Sequence, residues 1–331
     1  MGIKKMLKFL NTNYPSVIKN INEEDLGGKK IAIDISILLY QVVIAIRNSG
    51  ADMFNNQGEI SSHILGLFNK TINLLKMNIT PIYVFDGKPP VFKLQTINNR
   101  KEIKQKASEI LTTNDNMNEE DIIKYFKRTV HISKAQINEC IELLEIMGIP
   151  YIIAPAEADS QCAELVKCGI ADGVLTEDMD IMTFGATKIY RNLTSYKKDT
   201  LEISIEDVFK ELNINYEQFV ELCLLFGCDY CDYLNDMKPE LIYKYFSKHK
   251  NFIDTINNIK KDGYKVEDTS DYKIYKEYFM NAHINDYKKI KDIKKCDITK
   301  LEKLLVGKYG LVKMRINNKL QFINEHNILL N

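Results

Sequence analysis

Ala154-Pro155-Ala156-Glu157-Ala158-Asp159 and Thr176-Glu177-Asp178-Met179-Asp180 decide the fold. Each stretch pairs carboxylates two residues apart, just after a short apolar run that reads as a buried strand, Tyr151-Ile152-Ile153 or Gly173-Val174-Leu175. In an open α/β sheet, ligands gather beyond the carboxyl ends of the strands. Asp34 ends Lys30-Ile31-Ala32-Ile33, and Asp86 ends Pro81-Ile82-Tyr83-Val84-Phe85, in the same way. Acids from four strands are therefore expected at one sheet edge, joined by Asp229 at the end of a helix.

The strand before Asp34 runs into an apolar helix ending near Arg47, Ser61 to Met77 has helical spacing, and the strand before Asp86 follows, which makes a β-α-β unit. Gly87-Lys88-Pro89-Pro90 breaks the pattern. Phe92 to Thr129 is polar and helically periodic, and reads as an insertion lying over the sheet. The alternation resumes with a helix from Ser133 to Met147 closed by Gly148, the strand to Ala154, a helix from Glu157 to Cys168, the strand to Thr176 and a short strand at Lys188-Ile189-Tyr190. Beyond Thr200 the pattern is helical: Ile205 to Leu212, Tyr216 to Gly227 and Pro239 to Lys248. The fold class is α/β, a mostly parallel twisted sheet flanked by helices, with a helical cap insertion and a helical C-terminal region.

Seven acids gathered together repel one another, and burying them costs several kcal/mol each unless cations are bound. Oxygen ligands without His or Cys nearby select Mg²⁺, with Mn²⁺ as a substitute, and two such ions about 4 Å apart suit phosphodiester cleavage. A single acid taken alone reads better as a helix cap or a first-turn residue. The joint occurrence at strand ends favours the metal.

With 331 residues, 45% of them hydrophobic and 27% charged, the chain is long enough for a large α/β domain and an appended helical part. It has no apolar run of membrane-helix length and no signal-peptide block at its start, so an intracellular protein is expected, nuclear if cellular and at a nuclear or cytoplasmic replication site if viral. Seven cysteines suit a reducing compartment, and Cys228-Asp229-Tyr230-Cys231 lacks the second pair that a zinc site requires. Lys+Arg and Asp+Glu balance at 45 each, so net charge is silent about partners. The bases cluster instead, at Lys4, Lys5 and Lys8, along Lys93 to Lys106, at Lys124, Lys127 and Arg128, and from Lys288 to Lys319. Such clusters around an acidic pocket suit a polyanion held by its phosphates.

Met1-Gly2-Ile3, Ile33-Asp34-Ile35-Ser36, Tyr83 to Pro90, Ala154 to Asp159, Thr176 to Asp180 and Leu225 to Cys231 together resemble the flap endonucleases of the XPG-type structure-specific 5′ nucleases. The resemblance runs in order from Met1 to about Asp232. It implies a nuclease core over 1–200 with a gateway and cap at about 88–130, and a DNA-binding region over 201–331 with a divergent helix-two-turn-helix at about 227–248. It also implies that Asp34, Asp86, Glu157 and Asp159 hold one Mg²⁺ and that Asp178, Asp180 and Asp229 hold or orient the second. Asp159 stands where the family commonly has Glu. Lys93 and Arg100 match the basic pair aimed at the scissile phosphate, Tyr40 an aromatic that stacks on a base, Arg47 with the 50–58 loop a duplex wedge, and Gly2 the small N-terminus near the metals. Lys127 and Arg128 join the expected DNA contacts.

Two departures stand out. Where the family has a glycine-rich turn that binds a monovalent cation, this chain has Leu234-Asn235-Asp236-Met237-Lys238-Pro239, which puts K⁺ binding there in doubt. The last residues carry no sliding-clamp motif, so clamp recruitment is not expected. A monomer acting on DNA with a 5′ flap, a nick or a free 5′ end, away from membranes, is the expected form. The rival readings are a recombination-type 5′ exonuclease or junction resolvase with the same metals, and a DNA-binding scaffold without chemistry.

Overall fold

The computed structural model describes residues 3, 5–48, 51–55, 57–113, 117–194, 198–291 and 295–326. It begins with α1 (Met6–Asn13), β1 (Ile18–Asn20), β2 (Lys30–Asp34), α2 (Ile35–Arg47), α3 (Ser62–Lys76) and β3 (Thr80–Phe85). There follow α4 (Leu94–Thr113), α5 (Glu119–Arg128), α6 (Lys134–Met147), β4 (Tyr151–Ile153), α7 (Ala158–Lys167), β5 (Gly173–Leu175), α8 (Asp180–Thr183), β6 (Lys188–Arg191) and β7 (Leu201–Ser204). Beyond these come α9 (Ile205–Leu212), α10 (Tyr216–Phe226), α11 (Pro239–His249), α12 (Phe252–Lys261), α13 (Tyr272–Met280), α14 (Ile298–Glu302) and α15 (Lys313–His326). The strand order is β1-β7-β6-β5-β2-β3-β4, with β3–β4 and β5–β6 parallel and β7 antiparallel to both its neighbours.

The local signals explain the element ends. Ser133 and Gln136 close a capping box at the start of α6, and Gly148 ends that helix at φ 72°, a left-handed conformation cheap only for glycine. Asn215 and Gln218 form the same box at the start of α10. One expectation fails: the chain does not turn helical straight after Thr200. Leu201–Ser204 is a strand, and its pairing Ile18↔Ile203 joins it to β1 near the N-terminus. A four-residue segment has too little periodicity to announce itself, and its partner is remote in sequence.

The chain forms two compact units, each drawing residues from several separate segments. The first comprises 1–32, 86–96 and 154–286. Within it α1 lays Phe9 edge-on against Phe226 of α10 and tilted against Tyr243 of α11, both at 5.1 Å between ring centroids. The second comprises 33–85, 97–153 and 287–331. There β3 and β4 pair, and α2, α3 and α6 pack by apolar faces that include Leu38, Ile64, Leu67 and Leu143. Ala107 is the one buried residue of α4, as a polar helix in an exposed insertion requires. Among the described residues no helix is long and apolar enough to cross a membrane.

The second unit also buries His63, with Nε2 2.7 Å from Glu139 and Nδ1 3.4 Å from the Gln136 amide. Burial outweighs the pull of Glu139 and holds the imidazole below its usual value of 6.5. A base with a depressed folded pKa contributes stability that is present above the unfolded value and lost as pH falls below it. Thermal melts at descending pH are expected to show declining stability once pH drops below 6.5, and His63→Gln is expected to flatten that decline. An unchanged slope in the variant would remove His63 as its cause.

Candidate active site

The first unit gathers most of the acids singled out in the sequence. Asp86 leaves β3 and immediately accepts the Ala158 N–H with Oδ1 at 2.9 Å, so it fastens the first turn of α7. Gly87 and Lys88 donate to the carbonyls of Ala156 and Pro155, at 2.7 and 3.2 Å. This close passage needs glycine: a Cβ at Gly87 would stand 2.2 Å from the Ala154 carbonyl oxygen.

Glu157 sits at the start of α7, 3% exposed, and its carboxylate is fully engaged. Oε2 accepts from the Tyr230 and Tyr278 hydroxyls at 2.5 and 2.7 Å, and Oε1 is ion-paired to Lys93. Burial drives both phenols upward, so they stay protonated and act as donors. Phe92, next to Lys93, packs edge-on against Tyr230 and Tyr278, each with ring centroids 4.9 Å away. Sequence reading missed both tyrosines as partners of Glu157. Tyr230 lies inside the quoted Cys228–Cys231 stretch, whereas Tyr278 stands on the remote α13 and carries no local signal.

Asp178 and Asp180 are 7% and 5% exposed. Asp178 Oδ1 accepts the Asp180 N–H at 3.1 Å. Burial raises the Asp178 carboxyl above its usual range, and the Asp180 N–H and the Lys93 charge only partly offset this. Asp180 is pushed up further, by burial first and then by the charges of Asp178 and Asp229. Asp86 and Asp159 act on the Tyr278 phenol, and Asp159 and Asp180 on Tyr230, so these acids share one electrostatic neighbourhood. Asp229 accepts the Thr96 hydroxyl on its backbone carbonyl at 2.6 Å.

The acids do not stand as a finished chelate: among the described residues no three His, Cys, Asp or Glu side chains form a group that could hold a metal ion. The Lys93 ammonium supplies positive charge at Glu157 instead. The donor set nevertheless fits a hard divalent cation. It is all oxygen, two of its members are raised by burial, and Asp180 Oδ1 is buried without a hydrogen-bond partner among the described residues.

The remaining expected site residues lie in the second unit or outside the described residues. Asp34 caps α2, with Oδ1 accepting from Ser36 N at 2.7 Å and Ile37 N at 3.3 Å. Tyr40 is half-buried on α2, and Arg100 is half-buried on α4, one turn before Lys104, whose ammonium is lowered by burial and by Arg100. Arg47 is buried: it chelates Asp52 at 3.0 and 2.9 Å, donates to Phe126 O and Thr129 Oγ1, and lies over the Phe126 ring at 4.3 Å. It ties α2 to the end of α5. Lys127 is half-buried and Arg128 exposed, the latter over the Tyr125 ring. Gly2 lies outside the described residues. Cys228 and Cys231 keep their sulfurs 3.5 Å apart as free thiols.

Comparison with known proteins places this architecture. The XPG N-terminal domain family matches residues 1–107 and the XPG I-region matches residues 148–229. The chain is 38% identical to flap endonuclease 1 of Heterostelium pallidum, over 98% of this chain and 86% of that protein. Flap endonuclease-1 from Methanococcus jannaschii superposes with a TM-score of 0.72 at 29% identity, over 95% of this chain and 96% of that one. The catalytic core of Rad2 in complex with DNA substrate superposes with a TM-score of 0.73 at 26% identity, over 96% and 99%.

Proposed function

Since this chain belongs to the XPG-type flap endonuclease family, we propose that it is a structure-specific 5′ nuclease that hydrolyses phosphodiester bonds in DNA, cutting 5′ flaps and digesting 5′ ends. Asp178 and Asp180 carry this reading. Two carboxylates held out of water against their own repulsion are a cost to the fold, and bound cations remove it.

Asp34, Asp86, Glu157 and Asp159 would hold one Mg²⁺, and Asp178, Asp180 and Asp229 would hold or orient a second, with Mn²⁺ as a substitute. When bound, the ions supply the Lewis acidity that phosphodiester hydrolysis needs. The chain's own part is positional. Lys93 leaves Glu157 for the scissile phosphate, and with Arg100 it offsets the negative charge that develops there. Tyr230 and Tyr278 keep the Glu157 carboxylate aimed when Lys93 departs. Tyr40 offers a stacking face for an unpaired base, while Lys127 and Arg128 would contact the 5′ strand. Arg47, buried on Asp52, would brace the 50–58 loop as the duplex wedge. The polar helices α4 and α5 act as the gateway and cap.

The test is cleavage of end-labelled double-flap DNA beside a nicked duplex and a four-way junction, with Mg²⁺, Mn²⁺, Ca²⁺ or EDTA. A cut at the flap base with Mg²⁺ and none with Ca²⁺ or EDTA is expected, and Lys93→Met is expected to slow it by about 10²-fold. Symmetric junction cutting faster than flap cutting overturns the flap assignment, and no cutting of any substrate overturns the nuclease.

A further inference from the structure

The turn between α10 and α11 holds a charge that its own residues do not supply. Lys5, the residue that precedes α1, reaches across to it. Its Nζ donates to the backbone carbonyls of Leu234 at 2.8 Å, Met237 at 3.0 Å and Asn235 at 3.4 Å. Three carbonyl oxygens turned towards one point are the surroundings that a dehydrated alkali cation takes, and an ammonium, with three N–H donors, satisfies the same geometry. The turn is closed on itself by Met237 N donating to Leu234 O at 3.2 Å, and Leu234 and Met237 are buried. Its next residue, Lys238, is the cap position of α11, which begins with Pro239 and has no side-chain cap. Lys5 is well anchored for this role, because Phe9 of the same helix packs on both α10 and α11, the helices that flank the turn.

We propose that the 234–237 carbonyls form a monovalent-cation cradle whose resident cation is the Lys5 ammonium, which excludes K⁺ and fixes the start of α11 without any free ion. A free ion and the ammonium cannot share one point, so the monovalent cation that the family's glycine-rich turn binds does not fit this chain. The same assignment makes Lys5 a positioning residue and takes its charge away from the N-terminal basic cluster as a phosphate contact. Glycine is dispensable in this turn for the same reason: a tethered donor finds its carbonyls without the tight backbone wrap that a spherical ion demands.

The inference is independent of the nuclease reading, because its readout is the melting of DNA-free protein. Wild-type protein is compared in KCl and in tetramethylammonium chloride, a cation too large for the cradle, at equal ionic strength. Equal melting temperatures are expected. Lys5→Ala opens the cradle: it is expected to melt lower in tetramethylammonium by on the order of 2–4 °C and to recover in KCl, ammonium or methylammonium chloride. Lys5→Met, which fills the space without charge, is expected to melt low in every salt. A wild-type melt that rises specifically with K⁺ overturns the proposal, as does a Lys5→Ala defect that is the same in all salts. If Lys5→Ala does not fold, the wild-type comparison still decides, together with the ¹H–¹⁵N spectrum of the lysine ammonium groups. A slowly exchanging resonance that disappears in Lys5→Arg is expected, and its absence from the wild type refutes a caged ammonium.

Discussion

Replacing Asp180 with Asn is expected to move stability and cleavage in opposite directions. Asp180 is 5% exposed, one of its oxygens has no hydrogen-bond partner among the described residues, and its carboxyl is pushed well up by burial and by the charges of Asp178 and Asp229. An acid whose folded pKa is raised weakens the fold as pH climbs from its ordinary value of 3.8 through the raised one, because the unfolded chain releases the proton first. At neutral pH without metal, Asp180→Asn removes that burden and should add on the order of 1–2 kcal/mol to the metal-free protein. On the proposed reading the same change takes away a donor for the cation, so flap cleavage should fall by on the order of 10²–10³-fold. Mg²⁺ should raise the wild-type melting temperature and leave the variant's nearly still, since a ligand that binds only the folded state stabilises in proportion to its occupancy. Calorimetry with and without Mg²⁺, beside single-turnover cleavage, reads both effects. A variant that melts lower than wild type and still cuts at the normal rate would show Asp180 to be an ordinary structural acid.

Gly87→Ala is the second large effect, and it acts through backbone. The added carbon would meet the Ala154 carbonyl oxygen at 2.2 Å and the Pro155 carbonyl carbon and oxygen at 2.7 Å. Main-chain atoms cannot rotate out of the way as a side chain would, so the segment after β3 must shift off the segment after β4. A loss of about 2–3 kcal/mol is expected in a urea melt. The shift carries Asp86 with it, since that residue is adjacent and bonded to Ala158 N. A displacement of about 1 Å in an aligned site can cost 10²-fold in rate. Cleavage should therefore drop far more than the unfolded fraction explains, when assayed at a temperature where the variant is still folded. A wild-type melt and rate would mean that the two segments separate at no cost.

The strand-end acids, the helix caps and the polar insertion were legible in the sequence because each is written locally. Apolar runs of three to six residues mark the strands before Asp34, Asp86, Glu157 and Asp178, and Ser133 and Gly148 mark the ends of α6 through hydrogen bonds to near neighbours. The break after Asp86 was visible too, although not the backbone passage that makes glycine obligatory at position 87.

Pairings between distant residues have no such local mark: β1 with β7, Tyr278 with Glu157, Arg47 with Phe126 and Thr129, and Lys5 with the 234–237 carbonyls. An arginine next to a loop reads as a basic contact until burial and four hydrogen bonds claim it. A lysine in a basic cluster likewise reads as a phosphate ligand until three carbonyls surround it. By itself the sequence determined which segments become strands and helices and which acids end them, because hydrophobic period and capping act within a few residues. The partner of each charge depends on which surfaces meet when the core is buried, and no local pattern carries that.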